Sequence, residues 1–132
     1  MKVTADTNVL VRVLVDDDRA QREAAGCELE GAEVVAIGMV ALCELTWVLR
    51  SLYKFSNQQI AEGIRRLIAG ANVACEWATA EAGLAMLDAG GDFADGVIAH
   101  EGEQLGGATF LSFDRKAVKF LEQQGKTAKL LS

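Results

Sequence analysis

The chain has 132 residues with 51% hydrophobic side chains, no proline and a formal net charge of −6. This length suits one compact domain with a sizeable core and is too short for two, so residues 1–132 are predicted to form a single domain. The acidic charge disfavours direct, unaided binding of RNA or DNA, because phosphates select basic surfaces. It favours a protein that gathers carboxylates and recruits a metal ion or a basic partner.

Strand-like and helix-like segments alternate along the chain. In chain order the patterns predict strand 2–6, helix 8–15, helix 19–29, strand 33–37, helix 39–53, a helix capped by Ser56 and Gln59 and ended by Gly70, a short strand through Val73, Cys75 and Trp77, helices 80–89 and 93–104, strand 108–112, helix 115–124 and strand 128–131. This repeated order favours an α/β fold, with a parallel sheet covered by helices on both faces.

No segment has the features of a membrane span or of a signal peptide. The longest uncharged stretch, Val34 to Cys43, holds ten residues, about half of what a span needs, and the first residues lack an apolar segment with a cleavage site. The three cysteines, Cys27, Cys43 and Cys75, are spaced like neither a disulfide framework nor a zinc site, so they are predicted to pack in the core. These features predict a soluble cytoplasmic protein without a membrane partner.

Aspartates stand where predicted strands end and predicted helices begin. Asp6 closes the first strand, and Asp114 follows the strand-like segment ATFLS. Asp92 and Asp95 open a helix after a double glycine, and their spacing places them on one helix face. Because sites in parallel α/β proteins form beyond the carboxyl ends of the strands, these aspartates are candidates for a single site.

Helix capping is the alternative at each of these positions. Asp6 also fits the N-cap of the first helix, and Asp114 fits that of RKAVKFL. Asp92 and Asp95 have the spacing of a capping box, and a carboxylate near a helix N-terminus is favourable by about 0.3–1 kcal/mol. The sequence leaves capping and metal binding both open here.

Glu44 lies on a helix face whose other residues are apolar. Its neighbours three and four positions away are Val40, Ala41, Trp47 and Val48. An unpaired carboxylate on such a face costs several kcal/mol or becomes protonated. We therefore expect this helix edge to reach a wet cleft or a cation, with a salt bridge to Arg12 or Arg50 as the alternative.

Acidic side chains that converge on one crevice repel each other, and a divalent cation relieves that repulsion. Mg²⁺ suits one or two direct carboxylates with waters, whereas the lack of a His/Cys cluster argues against zinc. His100 is the only histidine, and it is predicted to be a surface or packing residue rather than a ligand.

Four segments together resemble the PIN-domain ribonucleases, most closely the VapC-type toxins of bacterial toxin–antitoxin pairs. The likeness runs from Lys2 to about Leu131. The segments are, in order, ADTNVLVR, ALCELTWVLRSLY, GGDFADGVIAH and TFLSFDRKAV. The resemblance implies a three-layer α/β/α sandwich with a central parallel sheet and an acidic site that uses Mg²⁺ or Mn²⁺.

The resemblance also assigns roles to the acidic residues. Asp6 matches the aspartate of the first strand, and Glu44 matches the glutamate of an E-x-x-W-V-L-like pattern. Asp95 matches the aspartate of an F-A-D-A-like motif, with Asp92 as the accompanying acid. Asp114 corresponds to the last aspartate, in a motif written T-F-D or T-x-D. Asp6, Glu44, Asp95 and Asp114 are thus the implied catalytic residues, and all five acids are implied metal ligands.

The resemblance also indicates supporting residues, and the chain departs from the family pattern at two positions. Asn8 and Ser112 match polar positions that orient the cluster. Ser112 stands where threonine is frequent, which keeps the hydroxyl, and Gly96 stands where alanine is usual, which weakens that helix turn. No departure removes an acid.

The implied activity is metal-dependent endoribonucleolytic cleavage that leaves a 5′-phosphate and a 3′-hydroxyl. A cognate antitoxin and a homodimer are the implied protein partners, and RNA is the implied substrate. Basic residues either contact the RNA backbone or form solvated faces; they are Arg12, Arg50, Lys54, Arg115 and Lys116.

Two other functions stay open from the sequence. One is a PIN-like binding module that keeps the fold without activity. The other is an α/β phosphohydrolase with a strand-end aspartate as nucleophile, which usually has a second acid two residues on; here that position is Asn8. A requirement for divalent metal separates the enzyme from the binding module.

Overall fold

The computed structural model describes residues 1–132. The strands are β1 (Lys2–Thr4), β2 (Val34–Ala36), β3 (Val73–Ala74), β4 (Thr109–Ser112) and β5 (Thr127–Leu130). The helices are α1 (Thr7–Leu14), α2 (Arg19–Gly31), α3 (Met39–Ser51), α4 (Asn57–Ile68), α5 (Trp77–Asp88), α6 (Phe93–Gln104) and α7 (Arg115–Gln123). Every strand pairing is parallel, so the predicted α/β class is confirmed. None of the helices has the length and apolar character to cross a membrane.

The chain divides into two compact units, Met1–Glu76 and Trp77–Ser132. In the first unit, β2 is the central strand of a three-stranded sheet, with Val3 and Val73 as the neighbours of Val35 on either side. The second unit has its own two-stranded sheet of β4 and β5. A single domain over 1–132 stays a prediction.

The core of the first unit is aliphatic. In this unit α1 packs against α2 and α3, and α3 packs against α4. The side chains with no exposure are Leu10, Leu42, Leu45, Leu49, Ile60 and Ile64. They recur at helical spacing, so each helix turns one apolar face inward.

Local capping sets the helix starts that the sequence predicted. The Asp18 carboxylate accepts a hydrogen bond from the Gln21 amide at 3.1 Å. Ser56 and Gln59 form a complete capping box, in which each side chain accepts a hydrogen bond from the other residue's amide. Such caps satisfy amides that have no partner within the helix.

The second unit is built on the α5–α6 pair. Phe93 is fully buried and its ring covers Gly83, where an added Cβ would lie 2.5–2.8 Å from three ring atoms. Helix α7 packs against both β4 and β5. A small cluster of Met86, Ala117 and Leu121 forms the core there.

Two expectations from the sequence are wrong. Trp77 begins α5 and does not extend a strand, because β3 ends at Ala74. The alternation of Val73, Cys75 and Trp77 continues past the end of the strand, through two residues that belong to neither a strand nor a helix. Cys27 is exposed and is not a core residue, since α2 has no buried residue at all.

Candidate acidic site

The second unit brings three of the predicted acids together. Asp92 is the N-cap of α6, and Asp95 lies in the first turn of the same helix. Asp114 follows β4 and is the N-cap of α7. Helix α6 packs against β4, so its acidic first turn and the carboxyl end of the strand belong to one cluster.

Asp95 is the member of this cluster that has no structural partner. Its side chain is half-buried and forms no hydrogen bond or ion pair. Burial raises the pKa of the Asp95 carboxyl, and the neighbouring charges of Asp92 and Asp114 raise that pKa further. The fold therefore holds a carboxylate in a place where its own charge is unfavourable.

Capping is real at the other two positions of the cluster. One oxygen of Asp114 accepts hydrogen bonds from the Lys116 and Ala117 amides at 3.0 and 3.2 Å. The Asp114 amide donates to the Ser112 hydroxyl at 2.9 Å, and the orienting role of Ser112 in the cluster stays a prediction. Asp92 accepts a longer bond, 3.4 Å, from the Ala94 amide, and not from Asp95 as a capping box would require.

In the first unit, Asp6 is the N-cap of α1. One of its carboxylate oxygens accepts a hydrogen bond from the Thr7 amide at 2.7 Å. Asp6 and Asn8 are both exposed. The capping alternative considered for Asp6 is thus present in the structure, and its role as a metal ligand stays a prediction.

Glu44 lies on the exposed face of α3, which corrects the premise behind its prediction. Val40 and Trp47 flank it at four and three residues and are themselves 74% and 63% exposed. Glu44 is therefore solvated although its neighbours are apolar. Of the two basic residues considered as its partners, Arg12 pairs with Asp17 and Arg50 donates a hydrogen bond to Asn57.

The acids fit a hard divalent cation in chemistry. Every candidate ligand atom is a carboxylate oxygen, the ligand type that Mg²⁺ and Mn²⁺ prefer. Asp6 and Asp114 each use a single carboxylate oxygen in their caps, and a carboxylate has about four acceptor sites. No group of three or more His, Cys, Asp or Glu side chains lies in a geometry that would hold a metal. The complete ligand set is accordingly a prediction.

His100 and Phe113 complete the description of the second unit. His100 is half-buried and lines a cavity of about 80 Å³ together with Glu103 and Lys126, and the residues that line this cavity include none of the acids named above. Phe113 is 75% exposed beside Asp114. Sequence reasoning passed over Phe113, although an aromatic residue between a hydroxyl and a candidate ligand was a visible signal.

The strands are parallel and alternate with helices, and acids lie at a strand end and at two helix starts. These features define an α/β protein with an acidic site. Residues 3–122 match the PIN domain family. The chain belongs to that family, whose members are generally nucleases. No curated protein matches the chain.

Proposed function

We propose that this protein is a metal-dependent endoribonuclease, and that it acts as the toxin of a type II toxin–antitoxin pair. The single observation that supports a metal site best is Asp95. A half-buried carboxylate without a hydrogen bond, beside two further acids, is unfavourable for the folded protein on its own. Such a group gains a favourable partner when a divalent cation binds.

The site residues would divide the work between holding the ion and fixing its ligands. Asp6, Glu44, Asp92, Asp95 and Asp114 are the proposed ligands for Mg²⁺ or Mn²⁺. When bound, such an ion lowers the pKa of water and stabilises the charge that develops on a phosphodiester. Ser112 fixes the backbone at Asp114, and the caps at Asp6 and Asp114 fix the orientation of those carboxylates before substrate arrives.

The net charge of −6 also supports an ion-assisted reaction. An acidic protein repels RNA phosphates, and a bound cation reverses the sign of the potential where cleavage would occur. Bound substrate would then be held through the ion and through basic side chains. Arg115 and Lys116, which follow Asp114 directly, are the nearest such candidates in the chain.

The partners proposed here rest on the resemblance of the four motifs to VapC-type toxins. A small antitoxin would restrain the nuclease, and an acidic surface suits a partner with basic segments. We further propose a homodimer and a cytoplasmic location.

RNA cleavage by the purified protein tests the proposal. The wild type should cut RNA with Mg²⁺ or Mn²⁺ and stop in EDTA, leaving 5′-phosphate ends. Asp6→Asn should reduce the rate about 100-fold or more, because the loss of a ligand removes several kcal/mol of stabilisation from the transition state.

Each other outcome counts against the proposal in a definite way. A folded wild type that cuts no RNA with any divalent ion would favour the inactive binding module. Cleavage that continues in EDTA would contradict the metal site. Full activity in Asp6→Asn would place the chemistry away from the predicted residues.

A further inference from the structure

Phe113 stands between two residues that are both fixed by hydrogen bonds. The Ser112 hydroxyl accepts a hydrogen bond from the Asp114 amide at 2.9 Å. Asp114 in turn caps α7. The Phe113 side chain between them is 75% exposed. The turn therefore holds an aromatic ring in solvent, one residue from a candidate metal ligand.

An exposed apolar side chain is ordinary on a protein surface, and exposure alone assigns no role. Leu105 is 89% exposed at the end of α6 and illustrates the ordinary case. The position of Phe113 differs, because it directly precedes Asp114, the N-cap of α7 and a member of the acidic cluster. Phe113 is thus an exposed aromatic residue next in the chain to a candidate metal ligand.

Basic side chains follow Asp114 in the same segment. The Lys116 ammonium is near Gly90, at 4.0 Å from where a Cβ on that glycine would stand. Gly90 belongs to the turn that leads into Asp92 and α6. Arg115 is exposed at the first position of α7. This segment therefore combines three kinds of group with different ligands. An aromatic ring can bind a base, a cationic side chain can bind a phosphate, and carboxylates can bind a metal ion.

We propose that the Phe113 ring is a stacking platform for an unpaired base of the RNA substrate, next to the phosphate that is cleaved. This inference rests on the proposed nuclease function. Aromatic side chains stack on bases that are splayed out of a strand, and every base has a face for stacking. The substrate class is therefore single-stranded or looped RNA, with little dependence on which base stacks. A paired base within a duplex is not available to the ring.

Kinetics with a single-stranded oligoribonucleotide test this role. We expect Phe113→Ala to reduce kcat/KM by roughly 10- to 100-fold, the effect of one lost stacking contact. Phe113→Tyr should keep the activity, whereas Phe113→Leu, which is apolar without an aromatic face, should lose it. Leu105→Ala is the matched control for an exposed apolar side chain and should behave as the wild type. The same oligoribonucleotide annealed to its complement should be a poor substrate.

The outcomes separate this inference from the function beneath it. A wild type that cleaves, together with an equally active Phe113→Ala, overturns the stacking role alone. Full activity in Phe113→Leu does the same, since an apolar contact would then suffice. If the wild type cleaves nothing, the nuclease proposal fails, and fluorescence of a 2-aminopurine base in the same oligoribonucleotide decides about stacking. Quenching by the wild type that is lost in Phe113→Ala supports it, and equal signals overturn it.

Discussion

Asp6 and Asp114 show that a carboxylate can cap a helix and still have acceptor sites for an ion. In both residues the observed caps involve only one of the two oxygens. Capping and metal binding were alternatives in the sequence because both require an acid at the same junction of strand and helix. At the scale of single residues they are compatible, and substitutions can separate them.

Substitutions of Asp114 should separate the two roles. Asp114→Asn keeps an oxygen that can cap α7 and removes the charge, so stability should change little while cleavage falls about 100-fold. Asp114→Ala loses the cap as well and should lower the free energy of unfolding by about 0.5–2 kcal/mol. Denaturant unfolding and RNA cleavage, measured on the same preparations, check both expectations. Equal loss of stability in the two variants would show that the cap depends on the charge.

The Arg12–Asp17 pair is a second residue-scale feature, and the sequence did not reveal it. Arg12 donates to one Asp17 oxygen at 2.6 Å, and the Tyr53 hydroxyl donates to the other at 2.9 Å. The bond from Arg12, followed by that from Tyr53, holds the pKa of the Asp17 carboxyl below its ordinary range. Arg12 was a candidate for RNA contact, but the structure engages it within the protein.

The lowered pKa of Asp17 predicts how stability depends on pH. The folded carboxyl binds a proton less readily than the unfolded one, whose pKa is about 3.9. The pair therefore contributes stability above that pH, and the contribution disappears as the pH falls through the lower, folded pKa. Asp17→Asn should lower Tm slightly at pH 7, and the difference from wild type should shrink at strongly acidic pH. Tyr53→Phe should have a smaller effect of the same sign; a difference in Tm that does not vary with pH would contradict this account.

At the scale of elements, helix starts were predictable and one strand end was not. Asp18, Ser56 and Asp92 each cap a helix within a residue of the expected start, because capping is a local interaction that the sequence encodes directly. The end of β3 depends on pairing with β2, which is a tertiary contact. Alternation alone therefore extended the predicted strand into Trp77, the first residue of α5.

The close contact of α5 and α6 gives an element-scale prediction. A Cβ on Gly96 would collide with the carbonyl oxygen of Ala82, so Gly96→Ala should destabilise the protein by about 1–3 kcal/mol. This reverses the expectation from helix propensity, by which alanine is the better residue. Gly102 on the same helix has no atom within 4 Å of an added Cβ. Gly102→Ala should therefore stabilise by up to about 1 kcal/mol. Thermal unfolding of both variants tests the contact, and a stabilised Gly96→Ala would contradict it.

At the scale of the whole molecule, the sequence indicated which acidic residues follow predicted strands. It did not indicate which side chains surround those acids in the folded protein. Glu44 was expected at a wet cleft or beside a cation because its helical neighbours are apolar, yet Val40 and Trp47 beside it are themselves exposed. Exposure depends on which faces the fold covers, and a single helical pattern does not determine it. The order of the four motifs was enough to predict the PIN domain family, which matches residues 3–122. The raised pKa of Asp95, in contrast, depends on the tertiary approach of α6 to β4, which the sequence does not show.

Mn²⁺ binding tests most directly whether the acidic cluster is a divalent-ion site. Metal-free protein is titrated with Mn²⁺, and the free ion is followed by electron paramagnetic resonance. We expect the wild type to bind Mn²⁺ and Asp95→Asn to bind it at least about 10-fold more weakly. Glu81→Gln, which removes an exposed acid elsewhere in the second unit, should match the wild type. Equal binding by Asp95→Asn and the wild type, or no binding by the folded wild type, would contradict the account.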